Sequence, residues 1–390
     1  GSRPQRHSFP TMTARALWYV GGDACELRDC SVPVVGPGEV LVVATHGAVS
    51  RGTESLVLRG GVPPSEHTRM RCPFMQGDFG YPCKYGYCSV GFVAEAGKGA
   101  EPLLGRHVFC LFPHQDRYVV RMEAVHALPE GTPPSRAVLT PNLETAVNIV
   151  WDSKLSVGDR LAVVGAGVVG CLVAYVASRV ADVSVLLVDV DASRSTLAER
   201  LGVRFRLAEQ LTAEDADRDV VVHCSGSPAG CATALSLAGD EAAVVEASWF
   251  GDKQVSLPLG EAFHSRRLKL VSSQVGQLPV ERRPRWSYAR RIQAVPLPRL
   301  LAGTRHATCP RHVHNPLPHL SQRWPSGWRP TRCSTCSSRP RTSRSRTSQR
   351  RSPRFARPAP PSADAYSTPY PSYPPRRRAR TTSASPGSPG

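Results

Sequence analysis

The chain has 390 residues, enough for two domains with a sizeable core, and a formal net charge of +18. The charge belongs almost entirely to residues 292–390, which hold 18 Arg, no Lys and one acid, Asp364, whereas residues 1–291 hold 31 basic and 30 acidic residues. The balanced first part argues against a nucleic-acid-binding body, and no apolar run reaches the ~18 residues that a membrane span needs.

The first part of the chain is predicted to be rich in β-strands. We expect residues 1–11 to be a disordered leader, because they are polar and contain two prolines. Strands are predicted at 12–20, 39–45, 90–96 and 107–112, separated by glycine-containing turns. Many short strands of this kind predict a partly open barrel or sandwich over residues 12–140.

The next part alternates between helices and strands. Helices are predicted at 141–151, 171–180, 193–201 and 231–237. Strands are predicted at 161–164, 183–188, 203–207, 219–224, 242–247 and 268–272. This alternation predicts a doubly wound parallel sheet over residues 141–291, with the start of one more helix at 286–291.

The strongest motif lies in this α/β part, between the first two of its strands. Gly165-Ala166-Gly167-Val168-Val169-Gly170 is a G-x-G-x-x-G that follows a strand and opens a helix, and Asp189 ends the next strand. Gly165 permits a tight turn, Gly167 lets a pyrophosphate approach the backbone, and Gly170 lets the helix pack on the sheet. We therefore predict a dinucleotide site, although flavin and adenosyl-ligand enzymes also use such a turn.

The order of several short motifs resembles the medium-chain dehydrogenase/reductase superfamily, which includes the zinc alcohol dehydrogenases. The resemblance covers residues 12–291 and is carried by residues 36–41, 50–54, 86–91, 157–160, the glycine turn, Ser225-Gly226 and Phe250-Gly251. It implies a GroES-like catalytic domain, a Rossmann domain, and a small-molecule substrate that exchanges a hydride with NAD or NADP.

The resemblance also implies cofactor contacts. Asp189 favours NAD because a carboxylate binds ribose hydroxyls and repels a 2′-phosphate, while Arg194 leaves NADP open. Thr145 matches a threonine that faces the nicotinamide in relatives, and Ser225 and Gly226 match cofactor-binding positions. The homodimer common among relatives and a cytoplasmic location are further expectations, the latter because the cysteines form no disulfide framework.

The chain departs from the zinc-binding pattern of the superfamily. The three ligand positions hold Arg51, Tyr87 and Pro141, none of which is a good zinc ligand, and the cysteine-rich structural lobe is absent from the sequence. We therefore expect no zinc, as in members that resemble 3-hydroxyethyl bacteriochlorophyllide dehydrogenase.

Another group must then supply the proton during the reaction. Thr53 matches the superfamily's hydroxyl proton relay, Tyr87 can donate a proton, and Arg51 or Lys84 can stabilise an alkoxide. Glu54 is the remaining polar group of these stretches. The structural alternative is that Glu54 pairs with Arg51 and that Tyr87 packs as a core aromatic.

Residues 292–390 lack any helical or strand period and contain 18 of the 36 prolines. We expect a disordered, Arg/Pro/Ser-rich C-terminal tail. A shifted reading frame of a GC-rich gene explains its composition, and restoring the frame should recover a helix and strands after Arg291. The cysteines and histidines of residues 309–336 and the arginines of 376–378 are more consistent with chance than with a zinc site or specific nucleic-acid binding.

The sequence thus predicts a zinc-independent, NAD-preferring oxidoreductase that acts on a secondary alcohol or ketone. Two alternatives remain open: a nucleotide-binding homologue without catalytic activity, and nucleic-acid binding through the basic tail.

Overall fold

The computed structural model describes residues 12–295, so our expectations for residues 1–11 and 296–390 lie outside it. No helix in the described range is long and apolar enough to cross a membrane.

Residues 12–139 form two antiparallel sheets with two short helices. The strands are β1 (Met12–Gly21), β2 (Ala24–Val32), β3 (Glu39–Gly47), β4 (Gln76–Gly77), β5 (Cys83–Lys84), β6 (Ser89–Ala96), β7 (His107–Cys110), β8 (Arg117–Arg121) and β9 (Val125–Ala127). The sheet orders are β2-β1-β5-β4 and β8-β3-β6-β7-β9, and the helices are α1 (Thr53–Leu58) and α2 (Pro134–Ala137). Buried valines of β3, β6 and β7 fill the core of the second sheet, as their alternating pattern predicts.

Residues 140–295 form a six-stranded parallel sheet flanked by helices. Its strands are β10 (Arg160–Val164), β11 (Ser184–Asp189), β12 (Arg204–Leu207), β13 (Arg218–His223), β14 (Ala238–Glu246) and β15 (Lys269–Ser272). Its helices are α3 (Thr140–Asp152), α4 (Val168–Ala177), α5 (Ser195–Leu201), α6 (Pro228–Leu237), α7 (Ala262–Ser265) and α8 (Tyr288–Ala294). The GroES-like plus Rossmann fold predicted from the sequence is confirmed.

The strand order β12-β11-β10-β13-β14-β15 reverses direction between β10 and β13. In an open parallel sheet, ligands bind outside the carboxyl ends of the strands at such a reversal. The loops that follow Val164 and His223 therefore line the expected ligand crevice.

The two domains meet at the carboxyl edge of the parallel sheet. Trp249, in the loop after β14, packs against a cluster in the first domain that includes Val57, Tyr85 and Tyr87. The backbone N–H of Asp252 donates to the carbonyl of Gly61 over 3.2 Å. The loop after β14 therefore brings the region around Tyr87 next to the carboxyl edge of the parallel sheet.

Helix α8 continues three residues beyond Arg291, where we placed the end of the Rossmann domain. The side chain of Ser287 accepts a hydrogen bond from the N–H of Arg290 over 3.2 Å and starts the helix. Ile292 then packs against Phe109, Leu128 and Val138 of the first domain. The expected loss of structure from residue 292 is wrong for residues 292–294, because burial of Ile292 favours continuing the helix.

Candidate functional site

The glycine turn after β10 leaves room for a ligand beside the start of α4. Gly165 has a φ of +108°, and a Cβ there would lie 2.7 Å from the backbone nitrogen of Ser225. A Cβ on Gly170 would collide with the carbonyl oxygen of Gly165, whereas a Cβ on Gly167 would meet open space. Helix α4 begins at Val168. The N–H groups of its first turn, including those of Val168 and Val169, have no acceptor within the helix and therefore favour a bound anion.

Asp189 lies beside this glycine turn, as the dinucleotide prediction requires. Its Oδ2 accepts a hydrogen bond from the N–H of Ala166 over 2.6 Å, and its Oδ1 accepts one from the N–H of Asp191 over 2.9 Å. A carboxylate offers about four acceptor positions, so these two bonds orient the group and leave capacity for ribose hydroxyls.

Arg194 forms an ion pair with Asp191 rather than standing alone beside Asp189. Its Nε lies 3.2 Å from Oδ2 of Asp191, and both side chains are more than one-third exposed. An exposed pair of this kind is weak, and Asp191 partly offsets the positive charge near the turn.

Ser225 and Gly226 lie in the loop after β13, and the backbone of Ser225 faces the glycine turn. The side chain of Ser225 joins a group that our sequence reasoning missed, which we call the Ser225 triad (Ser225, His223 and Glu246). His223 Nε2 lies 2.6 Å from Ser225 Oγ, and His223 Nδ1 lies 2.6 Å from Glu246 Oε2. The available signal was that His223 and Glu246 end adjacent parallel strands, since residues in that register share one edge of a sheet.

In the first domain, three hydroxyl groups meet. The half-buried side chain of Tyr87 lies close to the side chains of Ser50 and Thr53, and the N–H of Thr53 donates to Oγ of Ser50 over 3.3 Å. We call these three residues the hydroxyl cluster. Burial raises the pKa of the Tyr87 hydroxyl, the charge of Glu54 adds to this, and the hydrogen bonds from Ser50 and Thr53 oppose it. Tyr87 is therefore a protonated phenol at neutral pH and can donate.

Glu54 lies beneath the hydroxyl cluster and does not pair with Arg51, so the alternative of a Glu54–Arg51 pair is wrong. Its Oε2 lies 2.6 Å from His114 Nε2 and accepts a hydrogen bond from the hydroxyl of Tyr19 over 2.6 Å, and its Oε1 accepts one from the N–H of Ser50 over 2.8 Å. All three side chains are buried. The physical reason is that a buried carboxylate needs buried donors, and Arg51 is exposed.

The pKa values of this buried pair move in opposite directions. Burial acts to raise the pKa of Glu54, but the charge of His114 and the hydrogen bonds from His114, Tyr19 and Ser50 lower it overall. Burial acts to lower the pKa of His114, but the charge of Glu54 and their hydrogen bond raise it overall. The pair is therefore a carboxylate and an imidazolium, and it fixes the Ser50 backbone next to the hydroxyl cluster.

No protein-family model matches this chain. D-guloside 3-dehydrogenase of Escherichia coli is 29% identical over 176 residues, which are 42% of this chain and about half (49%) of that enzyme's length.

Solved structures match over a larger part of the chain. L-idonate 5-dehydrogenase of Escherichia coli aligns with a TM-score of 0.59 at 14% identity, over 73% of this chain and 87% of that one. An alcohol dehydrogenase of Escherichia coli CFT073, solved with NADH, aligns with a TM-score of 0.55 at 16% identity, over 67% and 84% of the two chains.

The described part of the chain has the two-domain fold of these dehydrogenase structures.

In the described residues, neither the Lys84 nor the Arg51 side chain has a hydrogen bond to the hydroxyl cluster. Lys84 is buried in β5, its Nζ donates to Oε1 of Gln115 over 2.7 Å, and burial lowers its pKa. Arg51 is exposed in the turn before α1. The sequence suggested both as stabilisers of an alkoxide, and the structure gives neither a contact with Thr53 or Tyr87.

Thr145 lies on α3, which borders the Rossmann sheet. Its Oγ1 donates to the carbonyl of Pro141 over 2.9 Å, so its position is set by the first turns of the helix. The neighbouring Glu144 is buried and accepts hydrogen bonds from Nε and Nη2 of Arg291 over 3.0 and 2.9 Å. This ion pair joins α8 to α3, the helix that carries Thr145.

The donor set at the superfamily's zinc position does not fit the metal. Arg51 is cationic, Pro141 has no donor atom, and Tyr87 is kept protonated by burial. Among the described residues, His223, Cys231 and Glu246 have ligand atoms within 4.8 Å of one another, but both ring nitrogens of His223 already have hydrogen-bonding partners. Burial raises the pKa of the Cys231 thiol to about 12, which disfavours the thiolate that metals require.

Proposed function

We propose that the protein is a zinc-independent, NAD-preferring oxidoreductase that transfers a hydride between nicotinamide and a secondary alcohol or ketone. The observation that carries the proposal is the contact between Asp189 and the glycine turn at the reversal of strand order in the parallel sheet. When bound, the nicotinamide exchanges a hydride with the substrate carbon.

The cofactor is held by residues around the strand-order reversal. Gly165, Gly167 and Gly170 open the space for the diphosphate, and Asp189 accepts from the adenosine ribose. Thr145, Ser225 and Gly226 line the path toward the nicotinamide end. Asp191 beside Arg194 lowers the attraction for a 2′-phosphate and supports NAD over NADP.

The proton at the substrate oxygen is handled by the hydroxyl cluster. Tyr87 donates its proton to the oxygen of a ketone and regains one from solvent through Thr53 and Ser50. With an alcohol, Tyr87 passes its own proton to solvent along the same hydroxyls as it takes the proton of the alcohol. Glu54 and His114 position this cluster by holding the N–H of Ser50. The chemistry needs a protonated phenol, which the buried environment of Tyr87 provides.

The substrate proposal rests on chemistry that is shared with the relative. D-guloside 3-dehydrogenase is named for a carbohydrate with several secondary hydroxyl groups. We propose a substrate of that general kind, a secondary alcohol on a hydroxylated or ring-bearing compound.

Titration of the full chain with NADH, followed by nicotinamide fluorescence, tests the binding part of the proposal. A panel of secondary alcohols then tests turnover with NAD and NADP. Saturable NADH binding with turnover that fails in Tyr87→Phe supports the proposal. The absence of NADH binding at millimolar concentration would sink it.

A nucleotide-binding protein without turnover is the second candidate. The observation that favours it is the donor set of Arg51, Tyr87 and Pro141, which replaces the superfamily's metal ligands. NADH binding with no turnover on any substrate of the panel distinguishes this candidate from the first.

A homodimer remains part of the proposal. Among residues 12–295, β15 forms an edge of the parallel sheet, and its four residues, including Leu270 and Val271, are exposed. An edge strand presents unpaired backbone groups that a second copy of the chain can pair.

A further inference from the structure

The Ser225 triad has the hydroxyl–imidazole–carboxylate order that activates a serine nucleophile. Both of its internal distances are 2.6 Å. Ser225 is exposed, whereas His223 is fully buried and the side chain of Glu246 is 16% exposed. The nucleophile is therefore accessible while its base and orienting acid are shielded from water.

The hydrogen bonds around Glu246 determine which ring nitrogen of His223 carries the proton. Glu246 also accepts from the N–H of Ser248 through Oε1 over 2.7 Å. Burial acts to raise the pKa of Glu246, but the hydrogen bond and charge of His223 and the bonds from Ser248 lower it overall. A carboxylate facing Nδ1 requires the proton there, so Nε2 is an acceptor for the hydroxyl of Ser225.

The first turn of α6 leaves space for this contact. A Cβ on Gly230 would collide with Oγ of Ser225 and would lie 2.9 Å from Nε2 of His223, so glycine is the residue that permits the geometry. The N–H of Ser227 lies 3.2 Å from Ser225 Oγ, just before α6 begins at Pro228. Pro228 has no N–H, so the first-turn donors of α6 are the N–H groups of Ala229 and Gly230. These groups have no intrahelical acceptor and favour the negative charge that develops during acyl transfer.

We propose that Ser225 is an activated nucleophile that accepts acyl groups from activated carboxylic esters and phosphonyl groups from fluorophosphonates. With an ester, Ser225 Oγ bonds to the carbonyl carbon and its proton passes to Nε2 of His223. The bond from that carbon to the leaving oxygen breaks, and the leaving alcohol takes the proton from Nε2. Water then attacks the acyl-serine with the same base, releasing the acid and restoring the hydroxyl.

This activity is separate from the hydride transfer proposed above and does not depend on it. With a fluorophosphonate, Ser225 Oγ bonds to phosphorus, fluoride leaves, and the proton goes to His223 and then to solvent. The product is stable, so the labelled residue can be identified by peptide mass spectrometry.

The test treats the full chain with a fluorophosphonate and measures the labelling rate constant together with hydrolysis of p-nitrophenyl acetate. We expect one labelled peptide, modified at Ser225, and no label there in Ser225→Ala. The matched control Ser227→Ala keeps the backbone N–H and should label within about twofold of the parent. Glu246→Gln should label at least about tenfold more slowly, because the orienting carboxylate is lost.

Gly230→Ala provides a second variant that changes no charge and should slow labelling by displacing the Ser225 hydroxyl. Circular dichroism and a melting curve for each variant confirm that it is folded. Labelling only at other residues, or parental rates in both Glu246→Gln and Gly230→Ala, would overturn the proposal.

Saturating NADH separates this proposal from the oxidoreductase proposal. Protection of Ser225 by NADH supports both, since cofactor and nucleophile then share the crevice. Labelling that depends on the Ser225 triad but is unaffected by NADH supports the nucleophile proposal. It counts only against the proposed cofactor site.

Discussion

Glu144 and Arg291 form a buried ion pair between α3 and α8, although they are 147 positions apart in the sequence. Arg291 also donates to Oδ1 of Asn148 and to the carbonyl of Val275 over 2.6 Å. Both charged side chains are almost completely buried, and the guanidinium also lies 5.4 Å from the centre of the Tyr288 ring. The pair therefore fixes the end of the described chain against the helix that carries Thr145.

Arg291→Met should destabilise the protein by about 3–5 kcal/mol, because the carboxylate of Glu144 would remain buried without its partner. Chemical denaturation measures the change. The double variant Glu144→Leu/Arg291→Met should recover much of the loss, since no charge is then left unpaired. Arg290→Met, at an exposed neighbouring position whose guanidinium lies 4.0 Å from the centre of the Trp286 ring, is the control and should change stability by less than about 1 kcal/mol. Equal losses of stability in the Arg290 and Arg291 variants would contradict a stabilising role for the Glu144–Arg291 pair.

Asp189→Asn should weaken NADH binding by roughly 10- to 100-fold, because hydrogen bonds to a charged acceptor contribute about 1.5–3 kcal/mol. The substitution should also reduce discrimination against NADPH by removing the negative charge beside the ribose. Fluorescence titration with both cofactors measures these changes. Asp191→Asn is a matched control in the same loop for NADH affinity, and an equal loss of NADH binding in the two variants would speak against a specific contact at Asp189.

Tyr87→Phe should lower kcat by about 10²- to 10⁴-fold and leave the Kd for NADH nearly unchanged, since it removes a proton donor and retains the ring. Steady-state kinetics and fluorescence titration separate these quantities. Tyr288→Phe removes a hydroxyl that donates to the carbonyl of Gly276 over 2.8 Å and serves as the control. Unchanged kcat in Tyr87→Phe would remove the hydroxyl cluster from the mechanism.

The Glu54–His114 pair should make stability depend on pH. The pKa of Glu54 is below its ordinary value of 4.5, so its contribution is present above pH 4.5 and is lost as the pH falls through the lowered pKa. The pKa of His114 is above its ordinary value of 6.5, so its contribution is complete below pH 6.5 and is lost as the pH rises through the raised pKa.

The difference in Tm between the parent and His114→Asn should therefore be largest from about pH 4.5 to 6.5 and should decrease on either side. Differential scanning fluorimetry across pH 4–9 measures this profile. His107→Asn, at an exposed position of β7, is a control that should show no such maximum. A difference that is flat across the range would contradict an ionised pair.

Leu270→Lys in β15 should shift the protein toward the monomer if this edge forms the homodimer. A charge on an edge strand opposes pairing with a second copy, and Leu270 is 41% exposed, so the fold itself should tolerate the change. Light scattering after size-exclusion chromatography measures the mass. Leu259→Lys, at another exposed leucine, is the control. A monomeric parent protein would remove the homodimer from the proposal.

The Rossmann half could be predicted closely because its signals are local. Apolar runs gave β10 and β11, the glycines gave the turn, and Asp189 was identified because it ends the second strand. Strand β2 was missed since most of its residues are exposed and it lacks an apolar run. Its pairing with β1 depends on a tight turn rather than on burial.

The buried polar groups could not be predicted, because their partners are distant in the sequence. His114 lies 60 positions from Glu54, and His223 lies 23 positions from Glu246. Charge complementarity alone favoured a Glu54–Arg51 pair, but burial selected His114, since a buried carboxylate is stabilised only by donors that are buried with it. The extension of α8 likewise depends on where Ile292 packs.

Two adjacent residues of helix α8 contact different domains. Arg291 joins the Rossmann helix α3, while Ile292 enters a cluster with Phe109 of the first domain. Separation of the two lobes would have to break at least one of these two contacts, whichever lobe α8 stays with. Calorimetry should therefore record one cooperative heat-absorption peak for residues 12–295, and cleavage of the backbone just before Ser287 should split that peak into two.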